Sequence, residues 1–173
     1  MTPGPLTESD LVLARTRMGG ALCELLDGNI VVNAEAGRWH DLAVERLTVL
    51  LTRVLPATAE VADPGADLRL DAATIAQPDV LVGIAGDPTG HPLLVVEVTS
   101  RPSRRLDRGL KLALYEAAAI PSYWVVDPLV PSLVAWHLEH GAYVEVSSVV
   151  GDEAAELSQP FTLQVRPSGL GIE

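Results

Sequence analysis

The stretch VVEVTS at residues 95–100 places an ionisable carboxylate, Glu97, inside a run of mostly β-branched residues. The run extends back through the Pro-Leu-Leu at residues 92–94, so it predicts a short and nearly continuous hydrophobic strand. Strands of this kind are usually buried on both faces, and a buried carboxylate is costly unless it is paired or bound to a metal ion. The stretch alone leaves two interpretations open: an edge strand with Glu97 facing water, or a buried acid with a function.

The composition is that of a globular protein. The chain has 173 residues, of which 48% are hydrophobic and 20% charged, which excludes general disorder and is enough for one domain with a real core. Its single cysteine, Cys23, excludes an internal disulfide and fits a reducing compartment. No apolar run approaches the roughly 20 residues of a membrane helix, and residues 1–10 lack the segments of an export signal. We expect one cytoplasmic domain over residues 1–173, with residues 1–20 as an N-terminal extension.

The charge is strongly negative overall but unevenly distributed. The formal net charge is −11, which argues against strong non-specific binding to nucleic acid, because such binding depends largely on phosphate neutralisation. Five of the 12 Lys and Arg residues nevertheless fall in one short segment just after the strand that contains Glu97: Arg101, Arg104, Arg105, Arg108 and Lys111.

Hydrophobic periodicity and turn residues predict a mixed α/β fold. The first half predicts a hairpin of residues 21–26 and 29–32 around Asp27-Gly28, a helix over 39–55, and strands over 58–62 and 80–84. After a loop over 86–90 and the strand with Glu97, the second half predicts a helix over 103–118, a strand over 123–126, a hairpin of 133–138 and 143–149, and a last strand over 161–165. This order predicts a mixed sheet with helices on its faces.

Two carboxylates are predicted to meet at one end of this sheet. Asp79 opens one strand and Glu97 lies in the next, so the acids approach each other if the two strands are neighbours joined by the 86–90 loop. Mg²⁺ prefers one or two carboxylates together with water. The alternative is that Pro78-Asp79 is only a turn and that Glu97 pairs with a cation of the following helix.

The helix predicted over residues 103–118 carries two stripes. Asp107, Lys111 and Tyr115 recur every fourth residue and form one polar stripe. They are either an ordinary exposed ion pair with a neighbour, worth a few tenths of a kcal/mol, or part of a site. The opposite, apolar stripe is predicted to face the core: Leu106, Leu110, Ala113, Leu114 and Ala117.

Taken together, these segments resemble the Uma-type putative restriction endonucleases, a bacterial branch of the PD-(D/E)XK nuclease superfamily. The resemblance covers about residues 24–149, including the 24–28 hairpin and His40 at a helix start. It depends on the order and spacing of Pro78-Asp79, Glu97-Val98-Thr99-Ser100, Asp107-x-x-x-Lys111-x-x-x-Tyr115 and Pro121-x-Tyr123-Trp124-Val125-Val126-Asp127-Pro128. It implies a restriction-endonuclease-like mixed β-sheet flanked by helices, with N-terminal and C-terminal β-hairpins.

The resemblance also implies a DNA endonuclease that depends on Mg²⁺ or Mn²⁺ and needs no organic cofactor. The superfamily usually has a lysine two residues after the second acid, where this chain has Thr99. In this branch the following helix is thought to supply the lysine, and Lys111 is the residue that matches. Asp79, Glu97 and the carbonyl of Val98 are then expected to hold the metal ion. Lys111 is expected to orient or help deprotonate the attacking water.

Other residues receive supporting roles by the same resemblance. Glu24 is expected to complete the acid cluster through a water or a second metal ion, beside Asp107, while Tyr115 holds Lys111 or touches phosphate. The expected contacts to DNA are Arg101, Arg104, Arg105 and His40. For the arginines, the alternative is a solvated helix start.

A rival interpretation is a catalytically silent relative that acts as a binding or assembly module. Other classes lack their motifs: there is no Gly-x-Ser-x-Gly, no glycine-rich phosphate loop, and too few cysteines for a structural zinc site. A homodimer is expected because aromatic residues are enriched at interfaces and several occupy the C-terminal strands, although each could equally be a core residue. These residues are Tyr123, Trp124, Trp136 and Tyr143.

Overall fold

The computed structural model describes residues 4–19, 22–33, 37–100 and 103–171. Its helices are α1 (Glu8–Arg17), α2 (Arg38–Val54) and α3, which joins α-helical Arg104–Leu106, a π-helical turn Asp107–Lys111 and α-helical Leu112–Ala117. Within the described residues, no helix is both long and apolar enough to span a membrane.

The described residues contain twelve strands. They are β1 (Cys23–Leu26), β2 (Asn29–Val32), β3 (Ala59–Val61), β4 (Leu68–Arg69), β5 (Ile75–Ala76), β6 (Val80–Ile84), β7 (Asp87–Val98), β8 (Ser122–Asp127), β9 (Ser132–Glu139), β10 (Ala142–Val150), β11 (Ala155–Leu157) and β12 (Leu163–Val165). A 3₁₀ turn, Pro167–Gly169, comes last.

A six-stranded mixed sheet forms the centre of the fold. Its strand order is β10-β9-β8-β7-β6-β3, and β7 and β8 are the parallel pair among otherwise antiparallel neighbours. Parallel neighbours need a long crossover, which α3 provides between β7 and β8. The predicted mixed α/β sheet flanked by helices is confirmed.

The predicted hairpins are also present. Asp27 and Gly28 have φ angles of 49° and 70°, and His140 and Gly141 have 52° and 86°. Two consecutive positive φ angles are typical of the two-residue turns that best match the twist of paired strands. The first hairpin, β1–β2, belongs to a smaller sheet of order β2-β1-β5-β4.

Strand β7 lies between β6 and β8, so the interpretation of its segment as an edge strand is wrong. Alternate residues of β7 face opposite cores: Val96 packs with α2 residues such as Leu47, whereas Val95 packs with Tyr115 of α3. Glu97 shares the face of Val95 because side chains repeat every second residue. The carboxylate therefore points beneath α3, where it is 3% exposed.

The predicted orientation of α3 is only partly right: Leu106 and Leu114 pack against the core as expected, as partly buried residues. Leu110 is 39% exposed, and Ala113 and Ala117 are exposed as well, although all were expected to face the core. The polar stripe of Asp107, Lys111 and Tyr115 is buried instead: none of the three exceeds 3% exposure. The physical reason is that carboxylates lie beneath this helix, so the helix turns Lys111 inward together with Leu106 and Leu114.

Two local predictions also need correction. The segment expected to be a loop over residues 86–90 is a tight turn, because β7 already begins at Asp87. The expected N-terminal extension contains α1, whose Leu11 is 1% exposed and packs with Cys23 and Leu25 of β1. Arg15 further ties α1 to β1 by donating to the carbonyl of Cys23.

The C-terminal aromatic residues lie inside the fold: Tyr123, Trp136 and Tyr143 form a cluster on one face of the sheet, and Trp124 lies in the core on the other face. Tyr123 and Trp124 are fully buried. The ring of Tyr123 lies 5.8 Å from that of Trp136 and 6.3 Å from that of Tyr143, measured between centroids. The core interpretation of these residues is therefore right, and the aromatic argument for a homodimer is wrong. The homodimer itself stays a prediction without that support.

Candidate active site

Asp79 and Glu97 come together at one end of the β6–β7 pair. Val80 pairs with Val96 in antiparallel register, so the residue before Val80 and the residue after Val96 lie side by side. The Oδ2 atom of Asp79 accepts a hydrogen bond of 2.7 Å from the backbone N–H of Val98. The two acids therefore lie next to each other at one end of the sheet, where the sequence placed them.

Lys111, the only lysine in the sequence, is surrounded by carboxylates. Its Nζ lies 2.9 Å from Oε1 of Glu97, 3.0 Å from Oε1 of Glu24 and 4.0 Å from Oδ1 of Asp107. Asp107 and Lys111 are the two ends of the π-helical turn, a rare local geometry that often occurs at functional sites. We call Glu24, Glu97, Asp107 and Lys111 the lysine cluster.

Glu24 lies at the base of the lysine cluster and is 0% exposed. Besides Lys111, it accepts hydrogen bonds from the backbone N–H of Gln77 at 2.7 Å and from Nδ2 of Asn33 at 2.9 Å. Glu24 thus contacts the lysine directly. A role for Glu24 through a water or a second metal ion stays a prediction.

Two tyrosines fix the cluster from beneath. The hydroxyl of Tyr115 donates to Oε1 of Glu97 at 2.8 Å, and that of Tyr123 donates to the backbone carbonyl of Asp107 at 2.8 Å. Tyr115 is fully buried, so the suggestion that it touches phosphate is wrong. Its contact is with the carboxylate of Glu97 rather than with the lysine.

His40, expected among the DNA contacts, reaches Asp79 instead. Its Nε2 lies 3.0 Å from Oδ1 of Asp79, while its Nδ1 lies 3.3 Å from Oδ1 of Asp41. Burial alone would lower the pKa of His40, but its hydrogen bonds to Asp79 and Asp41 raise that pKa above the ordinary value. Sequence spacing could not reveal this contact, because α2 and β6 are brought together only by the tertiary fold.

The site keeps Lys111 protonated and contains more acidic than basic side chains. Burial raises the pKa of Glu97 well above its usual range, against the opposing effect of Lys111. Burial likewise raises the pKa of Asp107 to about 6. For Lys111 burial acts downward, but the carboxylates of Glu97, Glu24 and Asp107 raise its pKa, so it keeps its proton. Three carboxylates contact the ammonium group of Lys111 and Asp79 lies in the same cleft, so four acids and one lysine give a formal excess of three negative charges when all are ionised.

These residues fit a hard divalent cation. They line a cleft of about 790 Å³ that contains Asp79, Glu97, Val98, Asp107 and Lys111. No group of three or more His, Cys, Asp or Glu in the described ranges could hold a metal ion alone. Mg²⁺ does not need such a cage, because it keeps several waters and binds through one or two carboxylates. The oxygen donors and the negative excess satisfy that requirement.

Two of the candidate metal ligands, Glu97 and Val98, have defined hydrogen bonds within the protein. Lys111 and Tyr115 both donate to Oε1 of Glu97, so neither occupies Oε2. Val98 lines the cleft, and its N–H, rather than the carbonyl expected to bind metal, contacts Asp79.

Arg104, one of the arginines expected to contact DNA, is bound within the fold, and the DNA contact of Arg105 stays a prediction. Arg101 lies outside the described residues. Arg104 is ion-paired with the buried carboxylate of Asp127, and Arg105 is exposed, but neither lines the cleft. Asp127 is 2% exposed and also accepts the backbone N–H groups of Leu129 and Val130 at 3.0 and 2.9 Å. Arg104 therefore anchors the start of α3 to the end of β8.

Removing this anchor should weaken the fold. We expect Arg104→Ala to lower the free energy of unfolding by about 1–3 kcal/mol, because a hydrogen-bonded buried carboxylate loses a charged partner. Arg105→Ala, one residue away on the exposed side, should change it by less than about 0.5 kcal/mol. Urea unfolding of both variants measures the difference, and equal stabilities would show that the pair does not anchor α3.

Comparison with known proteins gives a family and a fold. The family model Uma2, described as putative restriction endonuclease, matches residues 15–168. Among solved structures, a putative nuclease belonging to DUF820 from Anabaena variabilis ATCC 29413 superposes with a TM-score of 0.68. The two chains are 14% identical, and the alignment covers 87% of this chain and 89% of that one, a likeness that shows the fold. A comparison with curated proteins found no match.

Proposed function

This chain belongs to the Uma2 family of putative restriction endonucleases, and from that premise we propose that it is a metal-dependent endonuclease that hydrolyses the phosphodiester bonds of DNA. The observation that carries the proposal is the burial of the only lysine of the chain against Glu97, at the end of β7 and in the same cleft as Asp79. A purely structural ion pair does not require a cleft beside it or three carboxylates around one ammonium group.

Asp79 and Glu97 would hold Mg²⁺ or Mn²⁺, with the carbonyl of Val98 as a further candidate ligand. The ion would polarise the scissile phosphate and lower the pKa of a bound water. His40 orients Asp79 through the 3.0 Å contact to Oδ1. Tyr115 orients Glu97 through its hydroxyl.

Lys111 acts as a cation rather than as a base. Because its carboxylate neighbours raise its pKa, it remains protonated and cannot accept a proton from water. It can donate hydrogen bonds to the attacking water and offset the charge that develops on the phosphate. Asp107 lies in the same cleft beside Lys111, and burial raises its pKa to about 6, so we assign to it the acceptance of the proton released by the water.

A cleavage assay tests the proposal. Supercoiled plasmid and end-labelled oligonucleotides are incubated with Mg²⁺, Mn²⁺ or EDTA. We expect cleavage only with metal, and a loss of about 100-fold or more in Asp79→Asn, since one metal ligand is removed. Asp152→Asn, a matched change at an exposed position, should cleave like the wild type. A folded protein that cleaves nothing under any of these conditions would favour the silent binding module.

Two expectations about the cellular protein belong to the same proposal. The homodimer remains a prediction without support from the aromatic residues, and light scattering that gives a monomer mass over a wide concentration range would contradict it. We also infer a cytoplasmic location, which the single cysteine and the proposed substrate, DNA, support.

A further inference from the structure

One wall of the cleft is apolar and open to solvent. Leu22, Val32 and Val49 are 51%, 48% and 44% exposed, and all three line the cleft that contains Asp79 and Glu97. Single exposed aliphatic residues are common on protein surfaces, but a group of them at one concave site marks a binding surface. We call these three residues the apolar wall.

The charges around the cleft do not suit the backbone of duplex DNA. Among the described residues that line it, the basic side chains are Lys111, which is held inside the lysine cluster, and His40, which is held by Asp79. The α2 side of the cleft contributes Asp41 and Glu45. Affinity for a nucleic-acid backbone, paired or unpaired, comes largely from cations that contact phosphates, and this lining does not provide them, so the affinity of the cleft must come from contacts to a base.

We propose that the cleft takes an unpaired nucleotide, so that the substrate is single-stranded DNA or an unpaired flap. This inference rests on the proposed nuclease function and names its substrate class. In a duplex the base faces are stacked and cannot meet an apolar wall. An unpaired base exposes both faces, which apolar side chains can pack against. The apolar wall binds the base while the adjoining phosphate lies at Asp79 and Glu97, because both parts belong to one continuous cleft.

The test compares substrates and variants. A labelled single strand, a blunt duplex of the same sequence and a duplex with a single-stranded flap are measured for cleavage with Mn²⁺ and for binding by fluorescence anisotropy. We expect single strand and flap to be cleaved and bound at least about 10-fold better than the duplex, because only an unpaired base can bury its apolar face against Leu22, Val32 and Val49. Cuts in the flap substrate should fall in the unpaired part.

A matched pair of double variants assigns the effect to the apolar wall. Leu22→Ser/Val49→Ser should weaken single-strand binding about 10-fold, because burial of two aliphatic side chains is lost without any change in charge. Val130→Ser/Val150→Ser, at positions 60% and 64% exposed outside the cleft lining, should bind like the wild type. Equal affinity for single strand and duplex, or wild-type binding by the cleft variant, overturns the inference. Preferential single-strand binding without cleavage supports the inference and overturns the nuclease proposal.

Discussion

Lys111→Met is expected to lower the free energy of unfolding by about 3–5 kcal/mol and to abolish cleavage, because the change leaves buried carboxylates without their shared cation. Glu24, Glu97 and Asp107 all lie within 4.0 Å of the ammonium group, and Glu24 is wholly buried. Methionine fills a similar volume, so the loss arises from charge rather than from a cavity.

The destabilisation of Lys111→Met should depend on pH. Burial already raises the pKa of Glu97 and Asp107 in the folded protein, and loss of the ammonium removes the opposing effect of Lys111. A carboxyl whose pKa is raised by folding is accommodated when protonated and penalised when ionised. The variant should therefore be closest to the wild type near pH 5 and furthest from it near pH 8.

Denaturant unfolding at the two pH values measures both effects. Arg108→Met, which removes an exposed cation from the other side of the same helix, is the control and should stay within about 0.5 kcal/mol of the wild type. A Lys111→Met protein as stable as this control at pH 8 would show that the lysine cluster does not depend on its cation.

The second large effect concerns metal-linked stability. Free Mn²⁺ at about 100 times its dissociation constant should stabilise the folded wild-type protein by about 2.7 kcal/mol. For a chain of this size, that corresponds to a melting temperature about 5–10 °C above that of the metal-free protein. Because the pKa of Glu97 is raised in the folded protein, its ionisation costs stability as the pH increases through that pKa, and a bound cation offsets the cost. Metal binding should accordingly release protons.

Glu97→Gln should remove most of that shift. The amide oxygen can still accept from Lys111 and Tyr115, and one negative charge leaves a site that has an excess of them. The metal-free variant is therefore expected to melt at or above the wild-type temperature. Glu139→Gln, at an exposed position on β9, should keep the full metal response. A wild type that ignores millimolar Mn²⁺, together with a Glu97→Gln protein that melts lower without metal, would make Glu97 a structural acid.

The sheet could be predicted from sequence because its signals are local. Alternation and turn residues such as Asp27-Gly28 and His140-Gly141 specify strands and hairpins without reference to the rest of the chain. An acid in an apolar run, as at Glu97, likewise indicates a candidate functional group, although the run alone left an exposed edge strand open. The meeting of Asp79 and Glu97 followed from this local information plus the assumption that consecutive strands are neighbours.

The contacts that could not be predicted depend on elements distant in sequence. The α3 helix buries its polar stripe because Glu24 and Glu97 lie beneath it and bind Lys111. Periodicity alone assigns polar residues to the solvent side. The pairing of Arg104 with Asp127 is tertiary in the same way. The sequence does contain one indication of the role of Lys111. It is the only lysine among 12 Lys and Arg residues, and a residue type that occurs once is a candidate for a special position.

The proposed mechanism requires that Asp79 and Glu97 share one divalent cation beside Lys111. Anomalous diffraction from crystals grown with Mn²⁺ tests it most directly. We predict one strong peak about 2 Å from a carboxylate oxygen of each acid, with waters completing the shell. Diffraction data showing no peak at this position, with Asp79 still bound to His40 and Glu97 still bound only to Lys111 and Tyr115, would contradict the account.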